Sequence, residues 1–211
     1  MQKEEFLFSI IGIILALAIS NLIKGFDLLL KYKPATQKPM NENRWMWRLL
    51  WFVNLTLLIS QFVWGIRLKI EEINLFYYFI YYIVLTGLIY AIIVYIFPEN
   101  VEELYKNELQ VIDEEAEIDR KKLYTKRLTG FYYIFITWLL STVIVNFVFY
   151  FKNNDNIIEF LGGITLKAFC IYLIGSSIRK KAKGELDISK TDYMIIFLSI
   201  IIHIWYFIIR I

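Results

Sequence analysis

The sequence predicts an all-α integral membrane bundle of six transmembrane helices, with a charged cytoplasmic helical segment between the third and the fourth. Three observations lead there. Of 211 residues, 58% are apolar and the mean hydropathy is +0.53, whereas soluble domains use about 45–50% apolar residues. Six apolar runs, at 6–30, 45–68, 74–97, 131–151, 157–178 and 193–209, each offer around 20 residues, enough at about 1.5 Å per residue to cross a hydrocarbon core of roughly 30 Å. The runs are continuous, as in IIGIILALAI and MIIFLSIIIHI, whereas the strands of a membrane barrel alternate over about ten residues.

Segment 98–130 divides the chain into two membrane halves, 1–97 and 131–211, because it is the one long run too charged for a bilayer. Between 99 and 119 it carries nine acidic residues against a single Lys106, and then it turns basic at Arg120, Lys121, Lys122, Lys126 and Arg127. Apolar residues recur within it at helical spacing. Its acidic half, with Glu102, Glu103, Glu114, Glu115 and Glu117, is either a solvated face or a surface that steers a cytoplasmic protein partner. Its basic end is expected to lie against anionic headgroups.

The first run follows an acidic flank, Glu4 and Glu5, and has no small-residue cleavage site, so it reads as a retained span and not a signal peptide. Orientation follows from the loops. Sixteen Lys and Arg residues lie in the connections after spans one, three and five, against five on the other side. The positive-inside rule therefore expects a bacterial plasma-membrane protein with both termini outside.

Within the first span, Ser9, Gly12, Ala16, Ser20, Lys24, Asp27 and Lys31 recur at steps of three and four. That stripe is either a helix–helix contact face with Lys24 snorkelling at its end, or a cavity lining. In the second span Arg44, Trp45, Trp47 and Arg48 read as an interfacial anchor. Trp47, Trp51, Asn54, Leu58, Gln61 and Gly65 form a stripe in which the amides Asn54 and Gln61 glue helices together or bind something. The third span is rich in tyrosine, and its deeper hydroxyls, on Tyr82, Thr86 and Tyr90, are expected to bond inward. The basic end of 98–130 is expected to run into the fourth span as one helix, with Gly130 as a hinge.

Lys167 of the fifth span lies about ten residues from either end, close to the bilayer midplane, where a charge costs about 2.5–3.5 kcal/mol and must find water or a partner. Gly162, Gly163 and Gly175 in the same span are expected to admit a neighbouring backbone. The sixth span carries Asp192, Ile196, Ser199, His203, Tyr206 and Arg210 on one stripe. Lys167, His203 and Ser199, with Lys24, Ser20, Asn54 and Gln61, are the candidates for lining a pore or cavity.

A single cysteine, Cys170, and a single histidine offer neither a disulfide nor a zinc-type ligand set. Phosphate-binding glycine loops, nucleophile elbows and HExxH helices are absent from the sequence. Ser199 and His203, at i and i+4, are the one pair resembling a nucleophile with its base, and such pairs are mostly packing. Neither an enzyme, a cofactor nor a metal is expected, and a net charge of +3 does not argue for nucleic acid.

The short acidic start, the small-residue first helix SIIGIILALAISNLIKG, the Trp-rich second helix with QFVWGIR, and the charged connections together resemble the small multi-spanning membrane proteins of bacterial antiviral loci. The membrane accessory proteins of type VI-B CRISPR systems are the nearest in plan. The resemblance covers the whole chain and implies an oligomeric channel or membrane-perturbing effector answering to a cytoplasmic nuclease or signal. Two other readings stay open. One is a non-conducting membrane subunit of a larger complex, and the other, weakened by the lack of paired Gly/Pro breaks, is a small secondary transporter. Polar stripes on several helices exceed what one monomer needs, which points to a homo-oligomer among membrane lipids.

Overall fold

The computed structural model describes residues 3–31, 42–69, 75–97, 114–153, 157–184 and 188–209, with side chains over most of these. They form six helices: α1 (Lys3–Lys31), α2 (Glu42–Lys69), α3 (Leu75–Ile96), α4 (Glu114–Asn153), α5 (Ile157–Ala182) and α6 (Lys190–Ile209). The chain divides into two compact units, Met1–Ala116 and Glu117–Ile211.

In the first unit α1 packs mainly on α3 and less on α2. The pairing order is readable from single contacts. Near the start of α1, Ile11 and Leu15 meet Phe62, Tyr82 and Ile83. Further along, Phe26 stacks on Phe52 with centroids 4.4 Å apart, and Trp45 donates its indole N–H to the Leu29 carbonyl at 2.8 Å. So α1 and α2 are antiparallel, and α1 and α3 run the same way. Leu29 is in the last turn of α1, where carbonyls lack a helical partner, and Trp45 supplies one. The core of the unit is Ala18, Leu22 and Leu29 of α1, Trp47, Trp51, Leu55 and Leu58 of α2, and Ile89, Ile92, Ile93 and Phe97 from α3 and its end. Gly25 is required there, because a methyl group on it would overlap the Phe97 ring.

The second unit packs differently. Its α5 and α6 pack closely along their lengths, with Ser177 near Asp192 and Lys167 near Tyr206, which makes them antiparallel. Tyr132 of α4 reaches Asp192 and Trp138 reaches His203, so α4 runs with α6. Phe147 meets Phe160 at the far end. As expected, the basic run and the fourth apolar run form one helix, 40 residues long. Gly130 is helical within it and forms no hinge. α5 closes through Lys183 and Gly184, whose φ of 101° suits glycine at a helix C-terminus.

Four helices carry stretches long and apolar enough to cross a membrane: Phe8–Lys31, Asn43–Val63, Tyr124–Ile144 and Phe160–Ala182. A shorter apolar stretch, Tyr82–Ile96, lies in α3. Six helices stand where six spans were expected, but among the described residues only four of them pass that test. Their outward faces are greasy. Ile13, Ile23, Ile144, Leu161, Tyr172 and Phe197 are each more than half exposed, the reverse of a soluble surface. Hydroxyls on these helices are satisfied by their own backbone: Thr56 donates to the Phe52 carbonyl, Thr137 to Tyr133, Ser141 to Thr137 and Thr165 to Leu161. That is the solution open to a hydroxyl in hydrocarbon. Thr86, expected to bond inward to another helix, instead donates to Tyr82 one turn back.

Several sequence expectations shift. Ser9, Gly12, Ala16, Ser20, Lys24, Asp27 and Lys31 lie on the exposed side of α1, not in the core of its unit. Arg44 and Arg48 are buried, and Trp45 spends its N–H on Leu29, so these residues do not form a purely interfacial anchor. Gly162 faces the Trp205 ring and not a backbone, and a methyl on Gly175 would meet nothing within 4 Å.

Candidate functional site

The polar interior of the second unit begins where α6 begins. Ser189 and Asp192 form a reciprocal cap. The amides of Asp192 and Tyr193 donate to the Ser189 carbonyl at 3.0 and 3.4 Å. In return, the Ser189 amide donates to Asp192 Oδ2 at 2.7 Å and its hydroxyl at 3.0 Å. A serine followed three residues later by an acid, just before an apolar run, is the sequence form of such a cap. Lys181 Nζ donates to the same Oδ2 at 3.0 Å, and the hydroxyls of Tyr132 and Ser177 donate to Oδ1. Five donors, from two helices and the Ser189 cap, therefore saturate one carboxylate that is wholly buried. Burial alone would raise its pKa. The Lys181 ammonium and the hydrogen bonds from Ser177, Ser189 and Tyr132 outweigh that and hold Asp192 below the usual carboxylate value of 3.8.

A second polar group lies deeper. Lys167 is ten residues before Ser177 on α5, and His203 is eleven after Asp192 on α6. Both therefore stand about 15 Å along the helix axes from the Asp192 carboxylate, half the thickness of a hydrocarbon core. Lys167 is buried at 2% exposure, and its Nζ stands 5.0 Å from the centroid of the Tyr206 ring, a cation–π distance. His203 is equally buried, with its ring 6.1 Å from that of Trp138, and it lies within electrostatic reach of Lys167. Ser199 is buried on the same face of α6. The structure thus gathers Lys167, His203 and Tyr206 in one apolar-walled interior, with Trp138 closing it from α4.

The other sequence candidates separate. In the first unit Asn54 is buried and Gln61 half-buried on α2, while Ser20 and Lys24 point outward from α1. Glu102 and Glu103 lie outside the described residues, as do the side chains of Glu114, Glu115, Glu117, Arg120 and Lys121 in the first two turns of α4. Lys122 and Lys126 are exposed, and Arg127 is half-buried. Among the described residues no three of His, Cys, Asp and Glu come together as metal ligands.

The sequence reading placed Asp192 on a stripe but missed the carboxylate's role. The motif Ser189-x-x-Asp192 before an apolar run was the available signal. Its other donors, Tyr132 and Lys181, lie 60 and 11 residues away and carry none. Neither a protein-family model, nor a curated protein, nor a solved structure matches the chain.

Proposed function

We propose that the chain is a six-span membrane protein that assembles into a channel or membrane-perturbing effector, with the Lys167–His203 interior as its polar element. Six spans are supported by α3, 22 residues without one charge, and by α6, 20 residues whose charges fall only at Lys190 and Asp192. The basic asymmetry of the loops supports both termini outside, with 98–130 in the cytoplasm. A place in an antiviral locus rests on the resemblance of plan alone.

The observation that carries the reading is the position of Lys167. Twelve residues, about 18 Å, separate Lys167 from Arg179 in the basic last turn of α5; across a bilayer that is the depth where an ionisable side chain costs most, and such residues mark ion pathways. Packed as described, the Lys167 interior is a closed state. Opening requires α4, which carries Trp138, to move off the α5–α6 pair or a second copy to complete the lining.

A second reading is favoured by the outward stripe of α1. Ser20 and Lys24 are exposed, as expected of a non-conducting subunit that docks on a larger complex. Purification in mild detergent with mass determination, followed by ion flux in liposomes, decides between the two. The channel reading expects an oligomer with flux, an ion preference that reverses in Lys167→Glu, and an altered conductance in Lys167→Met. A monomer without flux leaves the subunit reading standing.

A further inference from the structure

The Asp192 carboxylate sorts the basic residues around it. Lys181 is drawn inside, and Lys180 is tied to the Thr191 hydroxyl at 2.9 Å. Arg179, Lys183 and Lys190 are left exposed, Arg179 and Lys183 where α5 closes at Gly184 and Lys190 in the first turn of α6 beside the Ser189 cap. Exposed apolar side chains begin immediately beyond them, at Tyr172 on α5 and Met194 and Phe197 on α6. The three cations therefore stand at the seam between a greasy face and water, where a bilayer places its phosphates.

We infer that Arg179, Lys183 and Lys190 form a binding site for the headgroup phosphate of an anionic phospholipid. Lys126 of α4 stands at the same level. It precedes Tyr132 by six residues as Lys183 follows Ser177 by six, and Tyr132 and Ser177 donate to the same oxygen. The charge balance favours an anion. With Lys181 and Asp192 neutralising each other, the sequence from 179 to 190 still carries Arg179, Lys180, Lys183 and Lys190 against Glu185 and Asp187, which lie outside the described residues. A flexible polybasic tail attracts a leaflet diffusely, whereas here the cations are borne at the adjoining ends of two packed helices. The occupant is a lipid, and not a soluble phosphate, because the apolar face adjoining the cations accepts acyl chains.

The inference rests on the membrane placement and is independent of conduction. The test is thermal unfolding of the full chain in mild detergent with added phosphatidylglycerol, with phosphatidylcholine, or with inorganic phosphate. Phosphatidylglycerol raises the midpoint and the other two do not. In Arg179→Gln/Lys183→Gln/Lys190→Gln the apparent affinity for phosphatidylglycerol falls on the order of a hundredfold, about fivefold per cation. Lys183→Gln and Lys190→Gln singly, at exposed positions, each lose about fivefold and keep the comparison valid if the triple variant does not fold. An unchanged affinity in these variants overturns the site. So does an equal response to phosphatidylcholine or to inorganic phosphate. Lipid binding without flux would remove the channel and keep the site, and flux without selective lipid binding would do the opposite.

Discussion

Replacing Asp192 by alanine removes the one acceptor on which five donors converge, and its cost follows from what is stranded. Lys181 and Asp192 are a buried ion pair, their side chains 1% and 0% exposed. Taking one partner from such a pair costs about 3–5 kcal/mol, because the other charge stays behind uncompensated. Lys181 is near the end of α5 and its stem can swing toward water, which places this pair at the lower end, about 3 kcal/mol. The hydroxyls of Tyr132 and Ser177 lose a charged acceptor, each worth about 1.5–3 kcal/mol where no water replaces it. Asp192→Ala is therefore expected to destabilise the second unit by at least about 3 kcal/mol. Asp192→Asn is not a mild substitute, since its amide would point N–H groups at Lys181 or at the two hydroxyls. Lys181→Met/Asp192→Leu removes both charges and recovers much of the loss. The assay is reversible unfolding in mixed micelles, read by tryptophan fluorescence as a double-mutant cycle. An Asp192→Ala protein within about 1 kcal/mol of the parent would mean that the carboxylate is solvated and the packing described here is wrong. The same group sets a pH dependence. A carboxylate held below its unfolded value binds its proton less readily when folded. Its contribution is present in full above about pH 4 and is lost as the pH falls through the lowered folded value. Stability that rises on acidification below pH 4 would contradict it.

Three further outcomes are expected. Gly25→Ala drives a methyl into the Phe97 ring and costs about 1–3 kcal/mol of overpacking. Phe97→Leu in the same chain relieves part of it, and an equally destabilised double variant would refute the contact. Trp45→Phe keeps the ring but drops the bond to Leu29, costing about 1 kcal/mol in the same unfolding assay; no change would mean that water serves that carbonyl equally well. Cys170, wholly buried, should react with a water-soluble maleimide at least about tenfold more slowly in the folded protein than after unfolding in detergent. Equal rates would mean that the α5–α6 interior is flooded.

Helix content and the course of α4 were legible because apolar runs of about 20 residues leave little choice of secondary structure. Which way each helix faces was only partly legible. On α2 the stripe through Trp47, Trp51, Asn54 and Leu58 is the buried face, and on α6 so is the stripe through Asp192, Ile196, Ser199 and His203. On α1 the stripe of the same spacing is exposed, and the buried face is Ile11, Leu15, Ala18, Leu22 and Leu29. In water polarity points outward, but in a bilayer interior and exterior are equally apolar, so a polar stripe marks a face without saying which side it is on. The Lys167 and His203 juxtaposition followed from matched depth along two helices, which counting residues reveals. The convergence on Asp192 did not, because Tyr132 lies 60 residues away in the chain and no local pattern pairs the two.

The unbroken course of α4 makes it a lever. Forty helical residues span about 60 Å, twice the hydrocarbon thickness, and they pass through Gly130 without the hinge that would have isolated one end from the other. With Tyr132 as fulcrum, a displacement of about 2 Å at Lys122, about 15 Å away along the axis, tilts the rod by about 8°. A tilt of that size is within the angular tolerance of a hydrogen bond, so the bond between Tyr132 and Asp192 holds as the pivot. Movement of the charged end is thus carried past that pivot, along the same rod, to Trp138 beside the His203 ring.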